Sequence, residues 1–330
     1  LRIAKESGRK IMELWKNNIK PSDILTRQAF LNAIAVDMLI GCSTNTALHL
    51  PAMARELDID IQLDDFERAS KGIPNICHLS PAGRHYMQDV HEAGGMSAII
   101  KIAIDHGIAD GSCKSVTGMT IGEVVKDVKV LNHNVIRPYD DPYLKDGGLA
   151  IVRGNLAPDG AIIKSAAVDP KLFHFTGPAR VFDSENTATM AVKDGKIKAG
   201  DIIVIRYEGP KGGPGMQEMV LITAFLKGMG LADKIGLVTD GRFSGASSGA
   251  AVGHVTPEAA EGGLIGLVEE GDAIEINITD RYVTLHVDEK TIEERRARWK
   301  PVEKDIPKGY LGRYAKQVGP VSQGAFLEVK

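Results

Sequence analysis

Apolar positions recur at helical period through the first third of the chain. Ile3, Ala4, Ile11, Met12, Leu14 and Trp15 fall near one face with charges between them, which predicts an amphipathic helix ending before Pro21. Thr26 is placed to cap a second helix carrying Phe30, Leu31, Ile34, Ala35 and Met38, and the small polar run Gly41-Cys42-Ser43-Thr44-Asn45 breaks it. Further helices are predicted over 47–57, behind a cap at Asp64 or Asp65, and over 85–92, the last stopped by Gly94-Gly95. The first 130 residues therefore read as mostly helical.

From about residue 146 the pattern changes to short β-rich runs separated by Gly, Pro and Asp turns. Strands are predicted at 149–152, 161–167, 179–182, 201–207, 234–239, 273–277 and 282–287. The stretch 132–148 is crowded with Asn, Pro and Asp and reads as an exposed link between two domains, 1–140 and 141–330. Residues 290–300 form either a charged helix or a solvated linker. No internal repeat at a period of 20 to 50 residues is present.

Composition narrows the classes. A chain of 330 residues suits about two domains at roughly 150 residues each, and 43% hydrophobic with 25% charged residues is the balance of a soluble globular protein. Forty basic against 43 acidic side chains leave a net charge of −3, so there is no excess to neutralise many phosphates, and nucleic-acid binding is excluded as a main role. The longest apolar run, 29–42, is interrupted by Asn32 and Asp37 and falls short of the roughly 18 residues of a membrane span. Three widely spaced cysteines, Cys42, Cys77 and Cys113, fit neither a disulfide framework nor a CxxC knuckle and suit a reducing, cytoplasmic setting. The first residue is Leu and the opening lacks the features of a signal peptide, so the start reads as a truncation. Glycine is abundant, 36 residues or about 11% against the usual ~7%, which predicts many tight turns and close backbone approaches.

Two loops concentrate candidate chemistry. The run Tyr207 to Met219 (YEGPKGGPGMQEM) follows a strongly apolar strand and could aim backbone N–H groups at an anion while Glu218 projects from the helix beyond; the alternative is a structural turn with Glu218 as a first-turn charge. One strand later, TDGRFSGASSG holds Asp240, Arg242, Ser244, Ser247 and Ser248 at the carboxyl end of 235–238, where sites collect in α/β proteins. Ser244 does not meet GxSxG, and its alternative is a helix cap. In the first domain Ser43 and Asn45 could offer polar groups to a ligand or cap the following helix. Cys42, Cys77-His78, His91-Glu92 and Cys113 lack partners at metal-ligand spacing.

Taken in order, GCSTNTALHLPAMA, LDDF, HLSPAGRHYMQDVHEAGG, VTGMTIGE, GGLAIVRGNLAPDGAIIK, GPARVFDSE, GPKGGPGMQEM, TDGRFSGASSGAAVGHVTPEAAEGG and GYLGRYAKQVGPVSQGA resemble the dihydroxy-acid dehydratase family, whose wider group includes phosphogluconate and sugar-acid dehydratases. The likeness runs from about residue 10 to the C-terminus. It implies an α/β fold in which 1–140 is the helical remainder of an α/β N-terminal domain and 141–330 is a β-rich, barrel-type domain. It implies dehydration of a small 2,3-dihydroxy acid to a 2-oxo acid in valine and isoleucine biosynthesis, with an iron–sulfur cluster (2Fe-2S or 4Fe-4S) as Lewis acid, Mg²⁺, and a serine alkoxide as base.

Carried over residue by residue, Ser244 in GRFSG matches the base and Glu218 in GPGMQEM matches a Mg²⁺ ligand. Ser43, Asn45 and Arg242 are the candidates for substrate contact. Ser244 and Glu218 are expected in one pocket between the domains, where a bound cation and glycine-loop N–H groups would hold the alkoxide. The family's cluster cysteines lie in CN, GCDK and CGGM motifs, and its other Mg²⁺ ligands include the Asp and modified Lys of GCDK; none of these motifs occurs here, and Cys42 falls where the family often has glycine. The chain is thus expected to be the C-terminal part of such an enzyme, inactive alone, and by family habit a homodimer. The alternatives are a phosphogluconate or sugar-acid dehydratase and, from another class, a non-catalytic binding or assembly module.

Overall fold

The computed structural model describes residues 1–300, 302, 304 and 308–328. Its first part is helical: α1 (Arg2–Lys16), α2 (Pro21–Ile24), α3 (Arg27–Ile40), α4 (Thr46–Arg55), α5 (Leu63–Gly72), α6 (Met87–Glu92), α7 (Gly95–Asp105) and α8 (Ile121–Val125). Thr26 caps α3 by accepting from the Ala29 N–H at 3.3 Å, and Gly41 ends it in the left-handed region at φ 64°. The start of α5 differs from expectation: Asp65 sits three residues in and accepts from the Gln62 N–H at 3.0 Å, so the acid closes the first turn from inside the helix. The Gly94-Gly95 pair ends α6, but Gly95 also opens α7, whose Ala98, Ile99 and Ala103 are buried. α1 forms as predicted, yet of its residues only Leu14 is buried.

The second part is a closed eight-stranded barrel. Its strands are β1 (Ala150–Gly154), β2 (Ala157–Ile163), β3 (His174–Phe182), β4 (Ile202–Ile205), β6 (Gly236–Thr239), β8 (Ala250–Gly253), β9 (Ala273–Asn277) and β10 (Tyr282–Leu285), in the spatial order β1-β10-β9-β3-β4-β6-β8-β2. A separate two-stranded ribbon pairs β5 (Glu218–Met219) with β7 (Arg242–Phe243). The helical and barrel parts expected from the resemblance are both present.

Strands β3, β4, β6 and β8 run parallel and are covered outside by α9 (Glu185–Lys193) and α10 (Leu221–Gly228). Burial on both faces explains why β4 and β6 read as unbroken apolar runs. The predicted strand at 161–167 instead spans Ala157–Ile163 and gives way to a 3₁₀ turn at Ser165–Ala167. The charged stretch near 290 is helical, α11 (Glu289–Arg298), anchored by Ile292 and by Arg295, which donates to Asp272 at 2.5 and 2.9 Å. A last helix, α12 (Tyr310–Gln317), follows.

The stretch 132–148 is not a free spacer. Its backbone bonds to the helical part through Arg137 N to Ile76 O at 3.0 Å, Asn75 N to Leu144 O at 3.0 Å, and Gly148 N to Met38 O at 3.1 Å. Leu149, Ile151 and Ile162 then pack in the helical core while their neighbours Ala150, Val152 and Ile163 fill the barrel. The period-two alternation of β1 and β2 thereby joins the two cores through one pair of strands.

Candidate active site between the helical part and the barrel

The ribbon of β5 and β7 settles the geometry of the site. Parallel pairing sets Glu218 against Arg242 and Met219 against Phe243, and the Ser244 N–H donates to Met219 O at 3.1 Å. Paired residues share a face and alternate residues return to it, so Glu218, Arg242 and Ser244 lie on one side while Met219 and Phe243 are buried on the other. Strand spacing and rise put the Cα atoms of Glu218 and Ser244 about 8 Å apart.

The turn between α3 and α4 lies against that side. Asn45 Nδ2 donates to Glu218 Oε1 at 2.5 Å, Arg242 Nη1 donates to His49 Nε2 at 3.2 Å, and a Cβ at Gly245 would lie 3.2 Å from the Ser43 side chain. The five residues singled out in the sequence, Ser43, Asn45, Glu218, Arg242 and Ser244, thus meet between the two parts of the chain.

Several local readings are corrected. Glu218 lies on a strand two residues before α10, and the acid that serves the first turn of that helix is Glu185, which accepts from Leu221 N and Ile222 N at 3.0 and 3.3 Å. Ser244 caps no helix; its Oγ accepts from Ala246 N at 3.3 Å in the turn leading to β8. Asn45 occupies the N-cap position of α4 but makes no capping bond; its Nδ2 donates to Glu218 and its Oδ1 has no partner.

The glycine loop also departs from expectation. Its Lys211 and Gly212 N–H groups donate to Glu258 at 2.9 and 2.8 Å, and Gly213 N bonds to Gly209 O, so these amides are not offered to an anion. Glycine is required at 212 and 213 because a Cβ there would meet the Tyr207 and Glu208 Cα atoms at 2.8 and 2.9 Å. Asp240 is wholly buried and accepts from Tyr207 N, Glu208 N and Ala259 N at 2.9 to 3.0 Å, tying three loops together beneath the site. Burial pushes the Asp240 pKa up, and lifts Glu258 to about 7.

Sequence reasoning missed four residues around this face. Asp37 is buried, accepts from Thr46 Oγ1 at 2.6 Å, and is raised to about 7 by burial. Lys164 reaches in from the end of β2, and burial lowers its pKa. His254, in the left-handed region at φ 58°, is lowered to about 3 by burial and by Arg242 and His49. His49 is lowered by the same two kinds of cause, burial and Arg242. Of these, only Asp37 carries a signal in the sequence, an acid inside an otherwise apolar helical run.

Among the described residues six buried side-chain polar atoms lack a partner, and three of them, Asp37 Oδ1, Asn45 Oδ1 and His254 Nε2, belong to residues around this face. Buried polar atoms are normally satisfied, so the grouping marks a place that takes further donors or a cation. Glu218 and Asn45 Oδ1 are hard oxygen donors of the type Mg²⁺ uses, although no set of three His, Cys, Asp or Glu side chains able to hold a metal occurs among the described residues. The cysteines do not fit an iron–sulfur cluster. A cluster needs several thiolates converging on one point, and among the described residues Cys42, Cys77 and Cys113 belong to no group of three His, Cys, Asp or Glu side chains able to hold a metal.

A helical part packed against a closed barrel of mixed parallel and antiparallel strands, with a carboxylate and hydroxyls converging between them, defines an α/β protein with an oxygen-lined site at the junction. Two family models match it: Dihydroxy-acid/6-phosphogluconate dehydratase N-terminal over residues 1–124 and Dihydroxy-acid/6-phosphogluconate dehydratase C-terminal over residues 134–325. The chain belongs to the dihydroxy-acid/6-phosphogluconate dehydratase family.

Proteins named dihydroxy-acid dehydratase are similar along nearly all of it. That of Caldicellulosiruptor bescii is 53% identical over 328 residues, covering 99% of this chain and 59% of the relative. That of Caldanaerobacter subterraneus is 51% identical over 325 residues, covering 98% and 58%, and that of Nitratidesulfovibrio vulgaris is 53% identical over 327 residues, covering 98% and 59%. The chain spans less than three fifths of the length of each of these curated relatives.

Proposed function

We propose that this chain supplies the proton-abstracting part of a dihydroxy-acid dehydratase, with Ser244 as base and Glu218 as a Mg²⁺ ligand, and that the reaction converts a 2,3-dihydroxy acid to a 2-oxo acid in branched-chain amino acid biosynthesis. The observation that supports this reading most directly is the parallel pairing of β5 with β7, which sets Glu218 and Ser244 on one face, within reach of a single small acid. Mg²⁺ bound by Glu218 would supply positive charge for the substrate's oxygens.

Ser244, as its alkoxide, takes the proton from C2, the electron pair of that C–H bond forms the C2–C3 double bond, and the C3–O bond breaks to release hydroxide. This hydroxide and the proton on Ser244 leave together as water, restoring the alkoxide, and the enol becomes the 2-oxo acid as its O–H proton is replaced by one at C3. Asn45 orients Glu218 through its amide. Arg242, fixed by its bond from Nε to Met216 O at 2.5 Å and neighboured by His49, is the cation available to a substrate carboxylate. The similar proteins named dihydroxy-acid dehydratase support the branched-chain reading over a phosphogluconate or sugar-acid dehydratase. The cytoplasm and a homodimer complete the proposal; among the described residues no helix is long and apolar enough to cross a membrane.

Because the cysteines present do not fit a cluster, the 330 residues are expected to lack turnover by themselves. Purified chain supplied with iron, sulfide and Mg²⁺ should show no charge-transfer absorbance and no consumption of 2,3-dihydroxyisovalerate. Turnover by the chain alone would contradict the division of labour proposed here.

A further inference from the structure

A serine alkoxide at neutral pH needs a positive neighbour, and the amides of Lys211, Gly212 and Gly213 at the centre of the glycine loop are already held by Glu258 and Gly209. The barrel provides such a neighbour. Lys164 stands one residue beyond β2, is half-buried, and donates from Nζ to the carbonyl of Gly245, the residue after Ser244, at 3.4 Å. Lys164 and Ser244 line one small cavity with Thr44, Phe243 and Ser247, about 20 Å³ in volume and so about the size of a single water. An ammonium lining the same small cavity as a hydroxyl favours that hydroxyl's anion, more strongly than it would in open water.

Two ionisable neighbours face Lys164 from α3 and the turn after it, Asp37 and Cys42. Burial raises them to about 7 and about 12, so near neutral pH the thiol is uncharged and the carboxyl is only partly ionised. The ammonium is therefore not fully neutralised by its own surroundings.

We propose that Lys164 is a positioning residue for Ser244: it fixes the Ser244–Gly245 turn through the Gly245 carbonyl and favours the anionic form of the side chain at position 244. This rests on the reading of Ser244 as the base.

The test replaces the hydroxyl with a thiol whose ionisation can be followed. In Ser244→Cys, alkylation at position 244 by iodoacetamide is measured against pH by peptide mass spectrometry, alone and combined with Lys164→Met or Lys164→Arg. Reading the modification on the peptide that carries position 244 keeps the native thiols, buried Cys77 and partly exposed Cys42 and Cys113, out of the measured rate. Lys164→Met is expected to slow alkylation at pH 7 about tenfold and move the rate profile to higher pH by about one unit, while Lys164→Arg keeps most of the rate; circular dichroism checks that each variant is folded. Identical profiles with Lys164 and with Met at 164, including no reaction in either, would overturn the inference. The serine-base reading fails separately: if Ser244→Ala leaves binding of Mg²⁺ with 2-oxoisovalerate unchanged, that reading falls whatever Lys164 does to the thiol.

Discussion

Asp37 shows how a single side chain records the site. It lies in the last turn of α3, buried beside Ile34, Met38 and Leu39, where an acid costs free energy unless something compensates it. Thr46 and the nearby Lys164 do so in part, and burial still leaves its pKa at about 7 against an ordinary 3.8. The folded chain therefore holds this proton more tightly than the unfolded chain. The resulting stabilisation is complete below about pH 4 and is lost as pH rises through 7, a change on the order of 4 kcal/mol. Urea midpoints of wild type and Asp37→Asn, measured from pH 4 to pH 8, should differ accordingly: the wild type loses stability relative to the variant as pH rises. A constant difference across that range would show that Asp37 does not titrate as described.

At the scale of elements, stability and legibility have the same source. α10 carries the apolar residues that cover β4 and β6, and its first two free N–H groups are satisfied by Glu185 from α9. Glu185→Ala leaves them unpaired and should cost about 1–2 kcal/mol, read as a lowered urea midpoint with unchanged slope. A change of less than a few tenths would mean that another group caps the helix. No sequence pattern announces this cap, because its donor and acceptor are 36 residues apart. Elements with a local period were legible, such as α3 with its Thr26 cap and the apolar runs of β4 and β6. β8 was not, since Ala250-Ala251-Val252-Gly253 is buried on both faces and has no alternation, and α7 was hidden behind a glycine pair that reads as a stop. Ser43, Asn45, Glu218, Arg242 and Ser244 could be chosen from motifs, whereas Lys164 and His254 could not: their importance lies in what they face across the fold.

For the whole molecule, the position of the site follows from how the two cores are joined. β1 and β2 give one face to the helical core and the other to the barrel, and the stretch 132–148 is bonded along the helical part. The turn at 43–49 is thereby held against the ribbon of β5 and β7, and a carboxylate, an arginine and a serine from the barrel meet an asparagine and a histidine from the helices. Neither part holds the full set, so the proposed chemistry belongs to the junction. The most direct measurement is calorimetric titration of the purified chain with Mg²⁺ and 2-oxoisovalerate together. Specific binding at millimolar concentration or tighter, abolished when Ser244→Ala and Glu218→Ala are combined in a variant that melts like wild type, is the predicted result. Binding that is absent from the wild type, or indifferent to both substitutions, would contradict the account.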